Sequence, residues 1–290
     1  RDSSTSRGLG DVYKRQMIVY ALAVLNSFYI DPLGMFTLLT DQQTITDFTS
    51  TIGNKNLLSS YICIAMPVMI AMSVITEKTL LRAIYLIATG FGFAALMTAD
   101  SDSGILGMAV FMIIYLVWFS NSLVRLKRFF LSSTVMLLFA KLLRLFSLCF
   151  DDKSKGFDKF QEIFVFSGIG WILLAACAVI TVFLYLIDYK KPNITISKAV
   201  PIALAVVFGF CAVAMIGIMV YFSCIDTKTD LGSFERIIRF NDIWGTHRGF
   251  MWIRSIWIFG DASFIEKLFG VGPDMFYSAC LLYTSPSPRD

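Results

Sequence analysis

The chain has 290 residues, of which 57% are apolar and only 16% charged, with 27 phenylalanines and a formal net charge of +4. With a mean hydropathy of +0.70, it reads as a polytopic membrane protein rather than a water-soluble enzyme or a nucleic-acid binder, for which no basic tract is present. The small positive total says little, because in a membrane protein the side on which Lys and Arg lie matters more than their sum.

The chain opens on an unusual string. Val12-Tyr-Lys-Arg-Gln16 reads back as GTG TAT AAG AGA CAG, and its reverse complement, taken one base on, encodes Cys-Leu-Leu-Tyr, the residues at 280–283. The shared element resembles the transposase end sequence used in sequencing libraries. Residues 1–16 and 280–290 are therefore expected to be translated adaptor and are set aside. That leaves an expected internal fragment, with a transmembrane helical domain over 17–223 and the start of a large extracytoplasmic loop over 224–279.

A helix needs roughly 20 apolar residues to cross about 30 Å of hydrocarbon. Residues 57–76, 80–98, 103–123, 129–150, 163–187 and 199–223 meet that requirement, and 17–30 reads as the remainder of one more span. The predicted fold is all-α, a transmembrane bundle of about seven spans followed by an extracytoplasmic amphipathic segment, because helices and closed barrels alone satisfy every backbone group in lipid. The basic connections Glu77-Lys-Thr-Leu-Leu-Arg82, Arg125-Leu-Lys-Arg128 and Asp188-Tyr-Lys-Lys-Pro192 with Lys198 fall on alternate turns. They are expected to face the cytoplasm, which puts residues 31–56, 100–102, 151–161 and everything after Cys224 outside.

Six cysteines occur, with no CxxC and no paired Cys/His spacing. Cys63, Cys149, Cys177 and Cys211 fall in or at the ends of apolar spans and read as small packing residues. Asn54 and Asn56 precede the helix expected from Leu57, where Asn is a favoured N-cap; the alternative is a helix N-terminus offering donors to an external anion. Asp100 and Asp102 read as turn residues rather than a catalytic pair. Lys141 and Arg144 lie three residues apart on one face of the fourth complete span. Either they contact a cavity ligand, or the span begins earlier or ends near Ala140 and both side chains snorkel to the outer headgroups. The mixed-charge loop at 151–159 reads as a solvated face with no assigned function.

Beyond Ser223 the segment Trp244-Gly-Thr-His-Arg-Gly-Phe-Met-Trp252 holds the only histidine, His247, beside Arg248. Helical periodicity over 247–259 puts Phe250, Ile253, Trp257 and Ile258 on an apolar side, and Arg248, Trp252 and Ser255 on another. One turn apart, Arg248 and Trp252 could meet one anionic substrate, since a guanidinium pairs with phosphate oxygens bidentately. The alternative is an interfacial helix whose Trp and Arg side chains meet lipid headgroups without chemistry.

Gly-Thr-His-Arg-Gly-x-x-Trp, followed by Leu268-Phe-Gly-Val-Gly-Pro273, resembles the O-antigen ligase and O-antigen polymerase family, in which Gly-Arg and a nearby Trp precede an "hPlxGvGpgxf" turn. Ser50-Thr-Ile-Gly-Asn-Lys-Asn56 ahead of a helix containing Pro67 is similar to the family's "GNxN" lead-in. Leu96-Met-Thr-Ala-Asp-Ser-Asp-Ser-Gly-Ile-Leu-Gly107 is similar to its "lTxSRgaxlG" segment, but lacks the arginine. The three matches run in the family's order over about 51–277.

The resemblance implies a metal-independent, cofactor-free, inverting glycosyltransferase at the outer face of a bacterial cytoplasmic membrane. Its donor would be a glycan on undecaprenyl diphosphate, and its acceptor another glycan or a lipid-linked one, with membrane lipid around it and no nucleic acid. Arg248 would be the catalytic residue, stabilising charge on the departing diphosphate. His247, Trp252, Lys141, Arg144, Asn54 and Asn56 would contact substrate, His247 as a hydrogen-bonding neighbour of Arg248 rather than a base. The family's catalytic histidine is expected beyond 279, so the fragment itself is expected to be inactive. The rival readings are a transporter or flippase for a lipid-linked oligosaccharide, which tends to show repeated halves not seen here, and a non-catalytic scaffold.

Overall fold

Long runs of Leu, Ile, Val, Phe and Ala form helices throughout, and among the described residues there is no strand. The structure, a computed structural model, describes residues 3–39, 41–150, 155, 157, 159–191, 194–232, 235–270, 272, 275 and 278. The helices are α1 (Ser3–Ser27), α2 (Gln42–Asp47), α3 (Lys55–Ile75), α4 (Thr79–Thr98), α5 (Asp102–Phe119), α6 (Leu123–Leu148), α7 (Lys159–Val165), α8 (Gly168–Lys190), α9 (Ala199–Val220), α10 (Glu235–Ile238), α11 (Trp244–Asp261) and α12 (Phe264–Phe269). Six of them, α3, α4, α5, α6, α8 and α9 with the π-turn that extends it to Ile225, are long and apolar enough to cross a membrane. The fold is thus that of a multi-pass, all-helical membrane protein. The expected seventh crossing is not among the six: Met17 to Ser27 form the C-terminal part of α1, whose Tyr20, Ala23 and Val24 are buried.

The chain divides into two compact units, 1–205 and 206–290. In the first, α4 lies against α1, α3 and α6, while α6 also carries α8. Lipid tails are as apolar as the helices, so small residues and short hydrogen bonds must join them. Gly90 lets the Phe139 ring come so close that a Cβ there would lie 2.4 Å from it, and Gly92 makes room for Tyr20. Ser73 and Ser132 hydroxyls meet at 2.8 Å between α3 and α6, and Thr134 and Thr181 at 3.1 Å between α6 and α8. Tyr115 donates to the carbonyl of Pro67 at 3.0 Å, tying α5 to α3.

The basic connections are not free loops. Arg125 to Arg128 form the first turns of α6, which starts six residues before the expected 129. Arg128, 8% exposed, donates to the carbonyl of Val74 at 2.9 Å and forks onto both Glu77 carboxylate oxygens at 3.3 and 3.2 Å. Arg82 donates to the carbonyls of Thr76 and Glu77, and Lys127 pairs with Asp188. The orphan carbonyls at the end of α3 thereby find donors, and the Arg128 guanidinium holds the Glu77 carboxyl below its usual range. Hydropathy alone missed this because charged residues end an apolar count even where their heads pair at the membrane surface.

At the opposite end, the turn at Ser50–Ile52 packs against α1. Asn26 Oδ1 accepts from the backbone N–H of Ser50 at 2.9 Å, and Ser50 Oγ donates to Val19 O at 2.8 Å. Lys155, expected in a solvated loop, is instead a tether. Its Nζ donates to the carbonyls of Ile45 (2.7 Å) and Phe48 (2.6 Å), lies over the rings of Phe36 and Tyr29, and its backbone N–H donates to Ser27 O. Burial pushes this ammonium down from its ordinary 10.5 to about 8, against the pull of Asp47 and Asp31.

Since unfolded Lys155 keeps its proton to higher pH than folded Lys155, the folded chain binds fewer protons between about pH 8 and 10.5. Stability from this group therefore rises with pH across that window and is lost as pH falls through 8. The melting temperature of the detergent-solubilised protein, minus that of Lys155→Met, is expected to climb between pH 8 and 10. A flat or falling difference would contradict this account.

Candidate functional site

Two sets of the predicted residues lie in the first unit. Asn54 caps α3: its Oδ1 accepts from the N–H groups of Asn56 (2.9 Å) and Leu57 (3.2 Å). Gly53, at φ +74°, supplies the left-handed turn just before it. Asn56 does not cap; its Oδ1 accepts from Ser101 Oγ at 3.0 Å, and Ser101 and Ser103 hydroxyls lie 3.0 Å apart. The "GNxN"-like lead-in thus meets the α4–α5 turn, the segment that lacks the family's arginine. There Asp100 takes the left-handed conformation, φ 52°, which Asp tolerates, and Asp102 begins α5, where a carboxylate suits the helix dipole.

Lys141 and Arg144 are not at the end of a span, because α6 continues to Leu148. Lys141 is 2% exposed, so the expected snorkelling past Ala140 does not occur. The expected span over 163–187 is broken instead at Phe166 and Ser167, between α7 and α8. Such a break precedes the apolar span of α8 and leaves carbonyls at the helix ends that need donors. Lys141 Nζ donates to Val165 O (3.1 Å) and Ser167 O (3.0 Å), and Arg144 Nη1 to Phe166 O (3.2 Å). Lys141 also lies 5.2 Å from the Trp171 ring centroid. A Cβ on Gly170 would stand 2.4 Å from Phe164 O and 2.6 Å from Lys141 Nζ, so glycine is required for the lysine to reach. These two cations hold the corner together, and their sequence spacing reported a shared face but not its partner.

The remaining residues lie in the second unit, on α11. Arg248 is exposed, and among the described residues no carboxylate pairs with it. Trp252, 54% exposed, joins Trp244 and Phe240 in a ring cluster with centroids 5.4 to 6.3 Å apart. The side chain of His247 lies outside the described residues, as do Val271 and Pro273 of the Gly-Val-Gly-Pro segment.

Gly249 of the motif has a backbone reason. A Cβ there would sit 1.9 Å from Asn241 O, so its absence lets the 241–243 turn lie on α11, where the Phe250 N–H donates to Asp242 O at 3.2 Å.

One arginine with close partners on α11 escaped the sequence reading. Arg254 lies 4.5 Å from the Phe250 ring and 4.4 Å from the Trp257 ring, and its Nη2 reaches Asp242 Oδ2 at 3.5 Å. Its trace in the sequence was an aromatic four residues before and three after. With Asn241, Ile243 and Ile253 it lines an open depression of about 440 Å³.

No protein-family model, curated protein or solved structure matches this chain.

Removing the Lys141 amine is expected to destabilise the protein by about 1–3 kcal/mol, the cost of leaving buried carbonyls unsatisfied. Lys141→Met and Gly170→Ala should both lower the thermal unfolding midpoint in detergent. A neutral Lys141→Met would return that lysine to the list of ligand contacts.

Proposed function

We propose that this protein is a membrane glycosyltransferase of the O-antigen ligase or polymerase type, acting at the outer face of a bacterial cytoplasmic membrane. Glycan carried on undecaprenyl diphosphate would be passed to an acceptor glycan in the assembly of a cell-surface polysaccharide. The observation that carries this reading is Arg248, an exposed arginine without a carboxylate partner among the described residues, on a helix that follows the last apolar span. An arginine so placed keeps its fork for an anion, and near lipid it can stabilise charge developing on a diphosphate leaving group.

The order of the three motifs supports the same reading, as does the meeting of the first with the third through Asn56 and Ser101. Orientation follows from the basic end, where Arg82, Lys127 and Arg128 gather and which the positive-inside rule assigns to the cytoplasm. Lys141 and Arg144, turned onto carbonyls, are not part of the proposed diphosphate contact.

Membranes from cells expressing the intact gene should transfer a lipid-diphosphate-linked glycan, and Arg248→Ala should lower the rate by about 100-fold or more at equal expression. Arg248→Lys should restore only part, because an ammonium cannot fork. Transfer unaffected by Arg248→Ala would remove the arginine from the mechanism. Movement of the lipid-linked glycan between leaflets without transfer would replace the transferase reading with a transporter.

A further inference from the structure

The depression beside α11 has a composition that selects among ligands. Its cation, Arg254, is already engaged: a ring lies close to the guanidinium on two sides, Nη2 faces Asp242, and Nε is buried without a hydrogen-bond partner. An anion would gain no uncompensated positive charge there and would meet the Asp242 carboxylate, whose side chain is 51% exposed. A purely apolar ligand would have to desolvate that ion pair and Asn241.

What remains is an indole surface beside polar groups. Trp257 is 47% exposed although Arg254 lies against its ring. Asn241 and Asp242 stand on the same lining, on a turn held to the helix by Phe250 N–H and by the missing side chain of Gly249. A few fixed polar groups around an aromatic surface form the usual make-up of a small-ligand site.

We propose that this depression is a subsite for a neutral sugar ring. The apolar C–H face of a pyranose would stack on Trp257, and hydroxyls on its rim would donate to Asp242 and bond to Asn241. The proposal deepens the transferase reading and rests on it for the glycan, but not for the site: Arg248 would handle the diphosphate, while Trp257 and Asp242 would hold a sugar unit of donor or acceptor chain.

The test is saturation-transfer NMR on the full-length protein in nanodiscs, with maltotriose and chitotriose as neutral probes and inorganic pyrophosphate as competitor. At least one trisaccharide should show saturable transfer to its ring C–H protons, undisturbed by excess pyrophosphate. Affinity should fall at least ten-fold in Trp257→Ala and several-fold in Asp242→Asn, which keeps the side chain's shape, with Trp257→Phe recovering part of the loss. Absence of saturable transfer to either sugar, displacement by pyrophosphate, or affinity unchanged in both Trp257→Ala and Asp242→Asn would overturn the subsite. Binding is read without turnover. Sugar binding in a protein that never transfers would therefore keep the subsite and remove the transferase reading, whereas transfer without sugar binding would do the reverse.

Discussion

A lysine amine buried in a membrane helix must find oxygen atoms, and the arrangement of the α6–α8 region follows from where Lys141 finds them. Its reach to Val165 and Ser167 gives a donor to carbonyls that the break between α7 and α8 releases. Arg144 adds a third bond, and Gly170 clears the space. Without this cluster the carbonyls of Val165, Phe166 and Ser167 would lose these donors. The pairing of α6 with α8, which joins the outer helix to the inner ones, would then need different contacts.

The same logic recurs at the basic end. Arg128 serves carbonyls at the end of α3 while it forks onto Glu77. Arg82, Arg128, Lys141 and Arg144 thus act as donors to backbone carbonyls that helices leave unpaired. By that criterion Arg248 differs in kind from Lys141, Arg144 and Arg128, although all four are cations near membrane helices.

Most of the bundle could be read from hydropathy, because crossing lipid demands length and apolarity and little else. Four of the spans, α3, α4, α5 and α9, lie within a few residues of their expected limits, and the Asn54 cap announced itself by residue type. The break at Phe166 and Ser167 was invisible, since both residues sit in an apolar stretch and the groups that make it tolerable come from another helix. The early start of α6 was only one of the alternatives, because its charged first turns look like a loop until their partners at the end of α3, in the α3–α4 turn and on α8 are known. On α11 the helix and its exposed Arg248 were foreseen, but Arg254 was not. Its role depends on Asp242, brought near by a turn that only the glycine at 249 allows.

Lys155 joins segments far apart in the chain, 110 residues from Ile45 and 107 from Phe48. A ribosome delivers residues 28–54 first, and they wait while α3 to α6 are made and inserted. During that interval the carbonyls of Ile45 and Phe48 lack this donor, and the aromatic rings of Tyr29 and Phe36 lack the cation that later sits over them. These contacts with the segment around Ile45 and Phe48 therefore stay unmade until residue 155 has been added. In a nascent chain stalled before residue 155, the segment around Ile45 and Phe48 would be held by fewer contacts than in the finished protein.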